Sequence, residues 1–227
     1  MAGGTERVAL RGHDARTYLD SQCTQDLALL AVGEVAHALV LEPRGELVTI
    51  AAVTSLGEDH LELEVPAGTG AGTVARLERF AIRTEVTFEL GEGRDASPAE
   101  ELDRIRAGRP GAAELARGLV PHALAAGLLA QTVSFTKGCY PGQELVARMH
   151  ARHALPPYLL RSLSSPAPVD VGDAVGDTSR DGAVTSVAHD PATGRWHALC
   201  VVHRRDAESS SVDVTTATGV VAAQLDE

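Results

Sequence analysis

Asparagine is absent from this 227-residue sequence, and lysine occurs once, at Lys137, among 20 basic residues. The first absence removes N-glycosylation sites and leaves aspartate alone as the orienting partner of any cysteine–histidine pair. The second singles out position 137, where a compact ammonium on a flexible stem stands in a chain otherwise served by planar arginine forks. Aromatics make up 3% of the residues, so the core must be built from leucine, valine and alanine. No apolar run approaches the roughly 20 residues needed to cross a bilayer, and the first ten residues lack the apolar centre of a signal peptide. Positive charge is scarce too: the net charge of −11 argues against a general nucleic-acid or anionic-membrane surface, which needs a cationic face to release counterions. Three cysteines, Cys23, Cys139 and Cys200, without a C-x-x-C pair, exclude a disulfide scaffold or a zinc ribbon. The expectation is a cytoplasmic protein with at least one free thiol and neither a nucleic-acid nor a membrane partner.

What is present reads as α+β. Asp14 is placed to cap a helix reaching Gln22, with Tyr18 and Leu19 as its first buried residues. Residues 35–42 and 46–56 form a hairpin about Pro43-Arg44-Gly45, and 60–65 alternates strictly, as a strand with one wet face does. A helix over 73–80 and a strand over 84–90 complete a small antiparallel sheet with a helix on one side. Ser97-Pro98-Ala99-Glu100 carries a capping serine and a proline at the first helical position, opening a helix to about Ala107. After the stiff Leu155-Pro156-Pro157, β-type runs at 158–163, 182–188, 196–203 and 212–223 predict a small barrel. The domain reading is an α+β region over 1–153, made of two interleaved modules with the second at roughly 46–106, and a β module over 154–227.

The chemistry concentrates in Lys137-Gly138-Cys139-Tyr140-Pro141-Gly142-Gln143-Glu144, at the junction between a loop and a helix over 143–152. A sulfur just before a helix N-terminus, two residues from an ammonium, sits where a thiolate is stabilised, while Glu144 in the first turn opposes that effect if close. Gly138 and Gly142 bracket the cysteine and relax the backbone there. From local context alone a packed cysteine at 139 is equally compatible, whereas Cys23 and Cys200 lie in apolar surroundings and read as core.

The block Lys-Gly-Cys-Tyr-x-Gly-Gln-Glu at 137–144, followed by Leu145-Val146-Ala147-Arg148, resembles the signature of YgfZ-type folate-binding proteins, relatives of the glycine-cleavage aminomethyltransferase. Weaker likenesses extend along the chain: Gly12-x-Asp14-Ala15, the 79–83 region, Arg104-Ile105-x-x-Gly108-x-Pro110 and Gly172-Asp173-x-Val175-Gly176. The resemblance implies a three-module ring like that of aminomethyltransferase, with two ferredoxin-like α+β modules and a small C-terminal β-barrel. It implies tetrahydrofolate or a derivative as ligand, iron–sulfur proteins as transient partners, and Cys139 and Lys137 as the reactive pair, with Gly138, Gly142 and Gln143 shaping the motif backbone. A pterin needs stacking and hydrogen bonds, and a glutamate tail needs a cation. Tyr140, Glu144 and Arg148 are accordingly the pterin-side candidates, and Arg83 and Arg104 the tail-side candidates, although an ordinary solvated role serves the arginines equally well.

Two functions follow. One is a folate-binding accessory protein supporting the assembly or repair of iron–sulfur enzymes through Cys139; the other is a folate-dependent aminomethyl transferase. A metal site built on Cys139, His150 and His153 is disfavoured by irregular spacing, and Gly68-Thr69-Gly70-Ala71-Gly72 matches no phosphate-binding loop.

Overall fold

A computed structural model describes residues 3–226. The first compact unit comprises Gly3–Asp95 and Leu129–Arg152, and the second Ala96–Leu128 and the chain from His153 onward. In chain order the first unit holds β1 (Gly4–Arg11), α1 (Ala15–Gln22), β2 (Val35–Leu41), β3 (Leu47–Gly57), β4 (His60–Pro66), α2 (Gly70–Glu78), β5 (Thr87–Leu90) and β6 (Arg94–Asp95). The second opens with α3 (Pro98–Arg106) and α4 (Ala112–Leu115). Helix α5 (Ala126–Thr132) leads back to the first unit, where α6 (Gln143–Ala151) follows. The second unit then closes with β7 (Tyr158–Ser165), β8 (Ala174–Val175), β9 (Ala183–His189), β10 (Trp196–His203), β11 (Ser211–Thr216) and β12 (Gly219–Asp226).

The first unit is an antiparallel sheet in the order β2-β3-β4-β1-β5, with β6 paired to β1. Strands β3 and β4 alternate buried and half-exposed residues along nearly their whole length, the signature of a sheet with one face on a core. Against that face Ala15, Tyr18 and Leu19 of α1 and Leu77 of α2 pack on Val8, Leu10, Val53, Leu61 and Leu63. The strand β1 is central although its sequence announces little: only Val8 and Leu10 are buried, between charged neighbours. Asp14 does stand at the N-cap of α1, but its carboxylate accepts from Glu85 N–H at 2.8 Å instead of capping its own helix.

The second unit contains a closed barrel in the order β10-β7-β12-β11-β8-β9, filled by Leu159, Leu163, Val184, Ala198, Cys200 and Val214. The expected run over 212–223 is two strands, since the chain turns between Thr216 and Gly219 and pairs back on itself. Helix α3 packs on β9 and β10. Its capping box is complete: Ser97 Oγ accepts from Glu100 N–H, and Glu100 Oε2 accepts from Ser97 N–H at 2.8 Å. An α+β fold with a C-terminal barrel is therefore what the chain adopts. Among the described residues no helix is long and apolar enough to cross a membrane.

Candidate functional site around Cys139

The motif opens on a bend at Lys137, runs through an irregular stretch and a turn, and ends in the first turn of α6. Its two ends are anchored differently. At the first, the Lys137 side chain, 2% exposed, runs inward to the C-terminal end of α1. Nζ donates to Asp20 O, Asp20 Oδ1, Cys23 O and Gln25 O at distances from 2.5 to 3.2 Å. Carbonyls at a helix end lack intrahelical partners and carry the negative end of the macrodipole, so a buried ammonium satisfies them and neutralises the site together with Asp20. Three tetrahedral donors on one atom suit acceptors that converge from several directions, which a planar guanidinium does not match.

At the second anchor, Gly142 is the N-cap of α6 with φ of 86°, in the left-handed region. A Cβ there would stand 2.9 Å from Glu42 O and 3.1 Å from Gly45 Cα, because the motif turn lies directly on the β2–β3 hairpin turn. Gly45, with φ of 98°, meets the Leu145 side chain in return. The two turns fit only because both contact positions lack a side chain.

Between these anchors Cys139 is exposed, while Cys23 and Cys200 are buried. Burial pushes the thiol of Cys23 up to about 11 and that of Cys200 up to about 12, so both stay protonated and inert near neutral pH. Labelling the native protein with a thiol reagent is expected to modify one cysteine quickly and all three only after denaturation; peptide mapping that placed the fast site anywhere but Cys139 would contradict this arrangement.

The other predicted residues are dispersed. Tyr140 is buried, with its ring centroid 5.9 Å from Lys137 Nζ, and burial pushes its phenol up to about 12. Buried in this way, it does not present a stacking face. Glu144 and Arg148 lie one turn apart on the exposed side of α6, 92% and 52% exposed, with 3.6 Å between their charged atoms. Gln143 donates its backbone N–H to Tyr140 O, closing the turn, and Gly138 is exposed with open space around it. Arg83 is exposed and has φ of 61°. Arg104 belongs to the second unit and is already engaged: its guanidinium donates to both Glu101 oxygens, to Glu114, to Arg109 O and to Ser186 Oγ. That network ties α3 to α4 and β9, so Arg104 is a structural residue where the sequence suggested a tail contact. A cleft of about 290 Å³ in the second unit, lined by Arg117, Tyr158 and Asp181 among others, contains none of the predicted site residues.

Sequence reasoning missed the receptors of the two anchors, namely Asp20, the carbonyls of Cys23 and Gln25, and the tip of the β2–β3 hairpin. The Pro43-Arg44-Gly45 turn was visible; its contact with position 142, about a hundred residues away in the chain, had no local signal.

No family model matches the sequence. An uncharacterised protein of Haemophilus influenzae (strain ATCC 51907 / DSM 11121 / KW20 / Rd) is 26% identical over 65% of this chain. The match spans 66% of that protein's own length, just under two thirds. Among solved structures, the glycine cleavage system aminomethyltransferase T from Bartonella henselae superposes with a TM-score of 0.72 at 18% identity, covering 98% of this chain and 83% of that one. The chain thus has an aminomethyltransferase-like fold.

Proposed function

We propose that the protein is a cytoplasmic, tetrahydrofolate-binding accessory factor that supports the assembly or repair of iron–sulfur enzymes through Cys139. The observation that carries this reading is the exposed thiol held between two fixed points, one at the end of α1 and one on the hairpin turn. A thiol so presented can meet a partner protein without a loop having to order first, which lowers the entropic cost of a transient contact. Lys137 serves as a positioning residue in this scheme: its ammonium is spent on α1, and it fixes where Cys139 emerges.

The folate half is supported by the likeness in fold to aminomethyltransferase T. The residues present fit such a ligand in part. Glu144 offers an acceptor for the N–H edge of a pterin with exposed Arg148 beside it, and Arg83 is an exposed cation able to meet a tail carboxylate, whereas Tyr140 is buried and Arg104 is engaged by Glu101. Bound tetrahydrofolate would supply nitrogens able to carry a one-carbon unit. In this reading the first unit, Gly3–Asp95 with Leu129–Arg152, holds the folate, and the barrel belongs to the second.

The same likeness in fold favours a second reading, a folate-dependent aminomethyl transferase. Calorimetry with tetrahydrofolate on the wild type and Cys139→Ala, run beside an assay of iron–sulfur enzyme activity in cells carrying each form, separates the two. The accessory reading expects equal folate affinity and loss of client activity in the variant. A purified Cys139→Ala protein that still made methylene-tetrahydrofolate from an aminomethyl carrier, in cells whose iron–sulfur enzymes remained active, would sink it.

A further inference from the structure

Arg76, in the last turn of α2, is 3% exposed. Its Nε donates to Leu41 O at 2.9 Å and its Nη1 to Gln22 Oε1 at 3.2 Å. The remaining nitrogen, Nη2, is buried and has no acceptor among the described residues. Native proteins leave few such groups, and an unsatisfied one costs on the order of 1–3 kcal/mol, more when charged. Burial works to lower the pKa of Arg76, and the support that opposes it comes mainly from Glu42, whose Oε2 is 3.9 Å from Nε. That carboxylate already accepts from Arg79 Nη2 at 2.5 Å. Two guanidiniums thus share one acid, a local excess of positive charge in a chain of net charge −11. The Phe80 ring lies over both, 4.3 Å from the Arg76 guanidinium carbon and 5.0 Å from that of Arg79, and is partly exposed.

We propose that Arg76, Arg79 and Phe80 form a site for an aromatic ring joined through an amide to a dicarboxylate, the chemistry of the aminobenzoyl-glutamate end of a folate. The assignment rests on the folate reading above and supplies it with tail contacts in place of Arg104. Arg79, the exposed member, receives one carboxylate, and Glu42 gives way as the internal competitor. A rotation of the Phe80 side chain then opens Arg76 Nη2 to the second carboxylate and turns the phenyl ring against the ligand's ring. The site borders the motif: Glu42, which links it to Arg79, is the residue whose carbonyl Gly142 touches.

The test is an NMR titration with p-aminobenzoyl-L-glutamate, a probe without a pterin. Saturable shifts are expected at the Phe80 ring and at the Nε–H of Arg76 and Arg79. Arg79→Gln, an exposed change that should leave the fold intact, is expected to weaken binding about tenfold, equivalent to ~1.4 kcal/mol. Glu42→Gln is expected to strengthen it by removing the competitor, a change of sign that a merely structural role would not produce. Shifts that spare Phe80, or equal affinity in wild type and Arg79→Gln, overturn the site. Binding of tetrahydrofolate without any binding of the probe overturns the site and leaves the folate reading standing. Probe binding at Phe80 without tetrahydrofolate binding does the reverse.

Discussion

Replacing Lys137 by methionine is expected to lower the stability of the first unit by about 3 kcal/mol, the scale of removing one partner from a buried charge pair. Methionine keeps an unbranched apolar stem of similar width and lacks the charged tip, so most of the loss reports the charge and its hydrogen bonds. Four acceptors lose the ammonium at once, the side chain of Asp20 and the carbonyls of Asp20, Cys23 and Gln25, and the last keeps only the weak Cys23 Sγ donor at 3.4 Å. Asp20 keeps the N–H of Leu27 at 2.7 Å, which holds the carboxylate in place but does not neutralise it. Lys137→Arg should recover only part of the loss, because a fork whose donors lie in one plane cannot bring a single nitrogen within reach of all four oxygens. Urea unfolding of the three proteins measures this. A midpoint for Lys137→Met equal to that of the wild type would show that the ammonium is not needed at α1. Loss of iron–sulfur support that tracks the stability loss across the two variants would mark Lys137 as a positioning residue.

The sequence made position 137 conspicuous but pointed to the wrong neighbour. Two residues separate Lys137 from Cys139, and proximity along the chain suggested an ammonium beside a thiol. The direction of a long side chain is set by where acceptors wait for it, here at a helix end 112–117 residues earlier. Local features were legible wherever local physics sets them. The Ser97–Glu100 capping box, the Pro43-Arg44-Gly45 turn and the alternation of β4 each fall where the residues indicate. Features set by distant pairing were not. Strand β1 carries no strong signal because Glu6-Arg7 and Arg11 flank an apolar run of only three residues, Val8-Ala9-Leu10; its place between β4 and β5 supplies the partners its own sequence does not advertise. Arg104 shows both kinds in one side chain. Its pairing with Glu101 at i,i+3 is readable, while Glu114 lies past a turn, 10 residues on, and Ser186 lies 82 residues on.

The two motif glycines look equivalent in the sequence and are expected to respond oppositely to alanine. At Gly138 a methyl group would meet nothing within 4 Å, and the backbone is not in the left-handed region. Gly138→Ala should therefore be neutral or stabilising by up to about 0.5–1 kcal/mol, through reduced freedom of the unfolded chain. At Gly142 two costs combine. The left-handed backbone charges any β-carbon roughly 1–2 kcal/mol, and the methyl would press on the Glu42 carbonyl and the Gly45 backbone, neither of which can swing aside as a flexible side chain does. Gly142→Ala is expected to destabilise by about 2–4 kcal/mol, within the range of overpacking combined with backbone strain. The consequence for Cys139 follows from the same geometry. Relief of the clash requires the motif turn to lift from the hairpin, which releases one of the two anchors that fix the thiol. Denaturant midpoints and the thiol-labelling rate should then move together in Gly142→Ala and stay near wild type in Gly138→Ala. Equal midpoints in the two variants would mean that the close approach of the turns contributes nothing to holding the motif.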